Sequence, residues 1–174
     1  MRSSIVVVRK ANAEDRLPLY RMLDLYQHDL SDIWDQDLDA HGEYGYNLDR
    51  FWREQDCHPF VVTVDGSYAG FALVDTAVKV GDDGYWMEQF FILKKYRRRG
   101  IGQTLAQQVF VALPGKWEVG QMINNLAAQA FWRSMIAAYT QGNYLESTLL
   151  GNAWRAWEGV VQRFESERCP SAAR

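Results

Sequence analysis

A chain of 174 residues and 20.1 kDa, 48% hydrophobic and 24% charged, has the size and composition of one globular domain. Such a chain buries roughly 70% of its unfolded surface, which excludes a disordered segment or a disulfide-stapled miniprotein. Nineteen Lys and Arg against 22 Asp and Glu leave a net charge of −3, so general affinity for nucleic acid is not expected.

No apolar run approaches the roughly 18–20 residues that span a bilayer. Ile5 to Val8, bracketed by Arg2 and by Arg9-Lys10, is too short for a signal-peptide core, so a cytoplasmic protein is expected. Cys57 and Cys169, 112 residues apart and without a CxxC, fit a reducing compartment. His28, His41 and His58 show no recurring ligand spacing, so no metal is expected.

In chain order, Ile5 to Arg9 reads as a β-branched strand. Asn12 to Asp15 offers helix-start chemistry, and Pro18 is tolerated only in a first turn, so a helix begins near Asp15. It carries two apolar stripes, Leu17, Tyr20, Leu23 and Leu30, then Leu19, Met22 and Tyr26. Residues 35–47 lose periodicity and form a loop, after which Asn47 caps a short helix with Phe51 and Trp52. Phe60 to Val64, Asp65-Gly66, then Tyr68 to Val74 is a hairpin. Gly81 to Gly84 turns the chain into a long apolar strand, Tyr85 to Leu93. A helix from Gly100 to Leu113 is stopped by Pro114-Gly115, and Trp117 to Met122 is a strand. Asn124 or Asn125 caps a helix running to about Ile136. Asn143 to Leu149 and Trp154 to Phe164 close the fold, so one domain spans 1–164 and a polar, frayed tail spans 165–174.

Charge is unevenly placed. Residues 94–99 hold five cationic side chains in six positions. Residues 24–49 hold Asp24, Asp29, Asp32, Asp35, Asp37, Asp39, Glu43 and Asp49 with no Lys or Arg. The first suits an anionic partner and the second a cationic one. Strand, basic loop, glycines and helix follow one another through Arg97-Arg98-Arg99-Gly100-Ile101-Gly102. Bare Cα positions let the backbone approach a ligand, and the free N–H groups of a helix start favour phosphate. The pattern is neither a P-loop nor GxGxxG, and a solvated basic turn is the competing reading. On the next strand–helix unit stands Asn125-x-x-Ala128-x-x-Phe131-Trp132, whose Asn carries both a donor and an acceptor for a peptide-like ligand.

These two motifs together resemble the GNAT superfamily of N-acetyltransferases. Arg97 to Gly102 fits its Q/R-x-x-G-x-G/A acetyl-CoA loop, and Asn125, Ala128 and Phe131 fit its NxxAxxFY segment. Met87 to Ile92 looks most like the strand of polyamine-type and aminoglycoside-type members. The resemblance implies an α/β (α+β) fold with a mixed, mostly antiparallel central sheet flanked by helices on both faces. It implies acetyl transfer from acetyl-CoA directly to a small, cationic amine acceptor by a monomer or homodimer. Backbone groups of Phe91, Ile92 and Leu93 would hold the pantetheine arm, amides from Arg97, Arg98, Arg99, Gly100, Ile101, Gly102 and Gln103 would wrap the pyrophosphate, Asn125 would bond the pantetheine amides, and Phe131 and Trp132 would pack beside them.

Thioester aminolysis needs a neutral amine, a stabilised oxyanion and a proton for the thiolate. Glu88 is the first candidate to take the ammonium proton, against the alternative of an ion-paired or outward strand carboxylate; Glu54 and Asp29 come after it. The family's tyrosine falls at Trp132, whose indole is a donor but no useful acid. Tyr139, seven residues on, shares its helix face and is the other catalytic candidate, with packing as its competing role. A non-catalytic acyl-CoA-binding module is the alternative that Trp132 motivates. A nucleic-acid domain using the basic run with Tyr96 is disfavoured by the acidic total.

Overall fold

The computed structural model describes residues 4–151 and 157–167. The strands, β1 (Val6–Lys10), β2 (His58–Val64), β3 (Ser67–Asp75), β4 (Tyr85–Ile92), β5 (Gly115–Met122), β6 (Leu145–Leu149) and β7 (Gly159–Ser166), form one sheet in the order β1-β2-β3-β4-β5-β7-β6. It is mixed and mostly antiparallel, and β4 and β5 run parallel through Tyr85↔Trp117 and Trp86↔Glu118. The helices are α1 (Arg16–Trp34), α2 (Arg50–Arg53), α3 (Ile101–Ala112) and α4 (Leu126–Thr140). The chain divides into two compact units, residues up to Val74 with Gln89–Ala106, and Asp75–Glu88 with Gln107 onward.

In the first unit, Asn12 accepts from Glu14 N while Asp15 accepts from Asn12 N, a reciprocal cap that launches a 3-10 turn and then α1. α1 buries Leu19, Met22 and Leu23 against Leu48, Phe51, Val61, Phe71, Leu73 and Phe91. Tyr26 joins them by its edge, 6.0 Å from Phe71 and 5.5 Å from Phe91. The Asp65-Gly66 turn has both residues left-handed, as a two-residue hairpin needs. β2 is buried at consecutive positions, Pro59 through Val62, so it reads as an apolar run rather than an alternation.

In the second unit, Phe110 on α3 is the hub of an aromatic core. Its ring centroid lies 4.7 Å from Trp117, 4.9 Å from Phe164 and 5.3 Å from Tyr139. A separate cluster gathers Trp86, Leu149 and Val161 with Val78, Val80 and Trp157.

The ends of α4 and β7 differ from the sequence reading. α4 runs to Thr140 rather than Ile136, because no breaker intervenes before the left-handed pair Gln141-Gly142. β7 continues through Glu165 and Ser166, residues expected in a frayed tail, because both pair with β5 and the Ser166 hydroxyl donates to Phe110 O at 2.8 Å. The expected final strand's start at Trp154 lies outside the described residues; the described part of β7 begins at Gly159.

Candidate functional site

The basic glycine loop belongs to the first unit. After β4, Leu93 leads into a 3-10 turn at Lys94–Tyr96, and the Tyr96 ring is buried beneath it. Arg98 and Gly100 then take left-handed φ values of 59° and 76°. A non-glycine residue at positive φ is strained by about 1–2 kcal/mol, and successive turns of this kind aim backbone N–H groups into a concavity suited to an anion. A Cβ on Gly100 would meet nothing within 4 Å, so its surroundings are open. The first α-helical bond of α3 runs from Thr104 N to Gly100 O at 2.9 Å, and the N–H groups ahead of it point out of the helix end. This donor set fits a diphosphate.

The three arginines do different work. Arg98 and Arg99 are exposed. Arg97 turns away, its Nε donating to Ile92 O at 2.7 Å and its Nη2 to Asp29 at 2.5 Å. Lys94 meets the same carboxylate at 3.1 Å. Burial alone pushes Asp29 up, but hydrogen bonds and charge from Arg97 and Lys94 outweigh it and hold Asp29 below its ordinary value. Asp29 is thus an anchor tying α1 to the loop. Leu93 N donates to Ala69 O at 2.9 Å, so Ile92 O and Leu93 N both have partners inside the protein. Phe91 packs its ring into the core, and Gln103 is exposed on the first turn of α3.

The remaining candidates belong to the second unit. Asn125 caps α4, its Oδ1 accepting from Ala128 N at 3.1 Å, and Gln129 braces the same turn by donating to Met122 O and Ile123 O, each at 3.0 Å. Around that turn Ile123, Leu126 and Phe131 are exposed apolar side chains. Trp132 is 5% exposed and packs on Phe110 and Phe131. The Tyr139 hydroxyl lies 2.7 Å from Ser166 Oγ, which itself donates to Phe110 O. Glu88 is half-buried on β4 and accepts from the indole of Trp86 at 2.9 Å. Trp86 is a residue that the sequence reading missed; its signal was the i, i+2 spacing that puts both side chains on one face of a strand.

The acidic segment is largely absorbed by structure. Asp29 anchors the loop, Asp49 pairs with Arg16, and Asp39 closes a turn by accepting from His41 N and Glu43 N. Glu43, burial, Asp24 and Asp39 push the Tyr20 phenol above its ordinary value. Tyr20 lines a groove of about 620 Å³ with Arg16, Leu17, Glu43, Tyr46 and Asp49. Among the described residues, no three His, Cys, Asp or Glu side chains gather as a metal site, and no helix is long and apolar enough to cross a membrane.

The fold is shared with solved acetyltransferases. The ribosomal-protein-S18-alanine N-acetyltransferase of Escherichia coli matches with TM-score 0.61 and 14% identity over 98% of this chain and 99% of that one. The aminoglycoside 6'-N-acetyltransferase AAC(6')-Ig of Acinetobacter haemolyticus matches with TM-score 0.60 and 11% identity over 84% and 95%. A protein of Corynebacterium glutamicum described as histone acetyltransferase HPA2 and related acetyltransferase matches with TM-score 0.66 and 11% identity over 95% and 98%. At these identities the likeness carries the fold alone. The sequence profile of the acetyltransferase (GNAT) family matches residues 19–135, and the chain belongs to that family. Among curated proteins no sequence match is found.

Proposed function

We propose that this chain is a cytoplasmic N-acetyltransferase that moves an acetyl group from acetyl-CoA directly to the amine of a small cationic acceptor. The observation that carries the reading is the loop from Arg97 to Gln103, where two left-handed residues run into the start of α3 beside a cluster of cations. Its amides bind the diphosphate; Asn125, in the second unit, is the residue that the family pattern assigns to the pantetheine amides. Acetyl-CoA supplies the activated thioester. Glu88 takes the ammonium proton, directly or through a water, so that the amine nitrogen can form its bond to the acetyl carbon as the C–S bond breaks. The departing thiolate needs little help, since a thiol's pKa is about 8.5; the second N–H proton, shed as the amide forms, reaches it through water. The transfer requires no metal ion and no nucleic acid, and one chain or a homodimer suffices. The acceptor class is supported by the carboxylates of Glu43, Asp24 and Asp39 around Tyr20.

Titration calorimetry with acetyl-CoA tests the loop. Wild-type protein binds; Gly100→Glu puts a carboxylate among the donors and lowers affinity at least about tenfold. Gly100→Asn, which tolerates the left-handed conformation, separates charge from backbone strain and retains binding. Absence of acetyl-CoA and CoA affinity in the wild type defeats the proposal. The second reading, an acyl-CoA-binding module without catalysis, is favoured by Trp132 and by the engaged Tyr139 hydroxyl. It predicts binding with no thiol release from spermidine, tobramycin, lysine methyl ester or a peptide N-terminus.

A further inference from the structure

We infer that Trp86 is a positioning residue for acetyl transfer, its indole N–H fixing the carboxylate of Glu88, and that Gly120 is the residue that admits the ring. This inference rests on the reading of Glu88 as the group that takes the amine's proton.

The geometry over-determines the indole. Trp86 is 3% exposed and donates from Nε1 to Glu88 Oε2 at 2.9 Å. Its floor is Gly120 on β5, where a Cβ would collide with the Trp86 ring and stand 2.9 Å from the Trp157 ring. Any residue larger than glycine there forces the indole to move. Trp157 meets the ring edge-on, centroids 5.6 Å apart and planes at 89°. Over the ring lies Lys79, its Nζ 4.9 Å from the centroid.

Lys79 does not hang freely over this site. Glu118, 3% exposed on β5, accepts from three successive backbone amides, Lys79 N at 2.6 Å, Val80 N at 3.1 Å and Gly81 N at 2.6 Å. Arg163 approaches the same carboxylate at 3.9 Å. A buried carboxylate spent on three main-chain donors is an expensive way to hold a surface loop. Here it clamps the connection between β3 and β4 so that Lys79 covers Trp86. The indole, held below, beside and above, has one donor, and that donor points at Glu88.

A hydrogen bond from the fixed indole restricts the rotamers of Glu88. An exposed strand glutamate samples several rotamers; a base must sit within hydrogen-bond reach of the proton it removes. Phenylalanine at 86 keeps the ring and loses the donor.

The test is a double-mutant cycle in free-thiol assays with acetyl-CoA and the amine of the four above that the wild type turns over fastest. Trp86→Phe is expected to lower kcat about tenfold, with the KM for acetyl-CoA unchanged. In a Glu88→Gln background, the same change is expected to alter kcat less than twofold, because the group it positions is no longer a base. A merely structural indole would lower kcat equally in both backgrounds, and that result overturns the inference while leaving Glu88 in place. Unchanged kcat in Glu88→Gln alone removes Glu88 from the reaction, and absence of turnover with all four amines removes catalysis; either result overturns this inference with the reading beneath it. In 15N NMR spectra, the indole resonance missing from Trp86→Phe should move in Glu88→Gln. An unmoved resonance means that the hydrogen bond is not kept in solution, and the inference falls.

Discussion

At position 132 an indole stands where the family pattern calls for a phenol, and the structure buries it among Phe110 and Phe131. The nearest phenol on the same helix, Tyr139, has its hydroxyl within a chain that runs to Ser166 and on to the carbonyl of Phe110. Such a chain joins α4, β7 and α3, which supports a packing role for the hydroxyl. Tyr139→Phe is expected to lower stability by about 1 kcal/mol, the worth of one internal hydrogen bond, and to leave kcat within twofold. Denaturant melts read the first effect and thiol release the second. A kcat loss of tenfold or more with unchanged stability would return Tyr139 to the role of acid. This distinction was not legible in the sequence. Spacing places Tyr139 on the Trp132 face, but Ser166, 27 residues on, decides what the hydroxyl touches. The same holds for Arg97. Its charge was visible in the basic run, whereas its partner Asp29 is 68 residues away and lay in a segment read as attracting an acceptor.

Elements were more readable than partnerships, because turn chemistry is local. Asp65-Gly66, Asn12 with Asp15, and the glycines before α3 each act within a few residues, and the elements they bound appear where expected. The end of α4 was misjudged because the stop signal, Gln141-Gly142, follows a stretch with helical propensity right up to Thr140. At the other end, Asn125 was read both as a ligand-binding amide and, with Asn124, as a candidate cap, and it is the cap of α4. The two roles use different atoms, Oδ1 for the cap and Nδ2 for a ligand. Asn125→Ala removes both and should cost about 1 kcal/mol of stability as well as acetyl-CoA affinity. Asn125→Asp keeps an oxygen for Ala128 N and adds a charge favoured at a helix start, so the melting temperature should hold while acetyl-CoA affinity falls severalfold. Parallel melts and calorimetry separate the two. If Asp and wild type bind acetyl-CoA alike, Asn125 is a cap and nothing more.

For the molecule as a whole, stability in acid depends on carboxylates whose partners exist only in the fold. Asp15 is fully buried; Arg9 donates to both of its oxygens, at 2.5 and 2.8 Å, and Tyr68 and Asn12 N complete the shell. The hydrogen bonds from Arg9 come first among the causes that hold Asp15 down at about 2, against burial, which opposes them. A carboxylate depressed in the fold adds stability that is present above its unfolded value of about 3.8 and is lost as pH falls through its folded value. The contribution amounts to roughly 2 kcal/mol and disappears between about pH 4 and pH 2. Asp29 and Glu146 are depressed too, by Arg97 with Lys94 and by Arg133, so the wild-type curve alone mixes several groups. The difference between wild type and Asp15→Asn isolates one. Asparagine has one acceptor oxygen, so it serves either Tyr68 or Asn12 N, turns its amide N–H toward the other donor and strands the Arg9 guanidinium, and the variant is less stable at neutral pH. Urea midpoints measured from pH 7 to pH 2 should therefore show a gap that is constant down to about pH 4 and narrows below it. A gap that stays constant to pH 2 would mean that the Arg9–Asp15 pair contributes no charge-dependent stability to the fold.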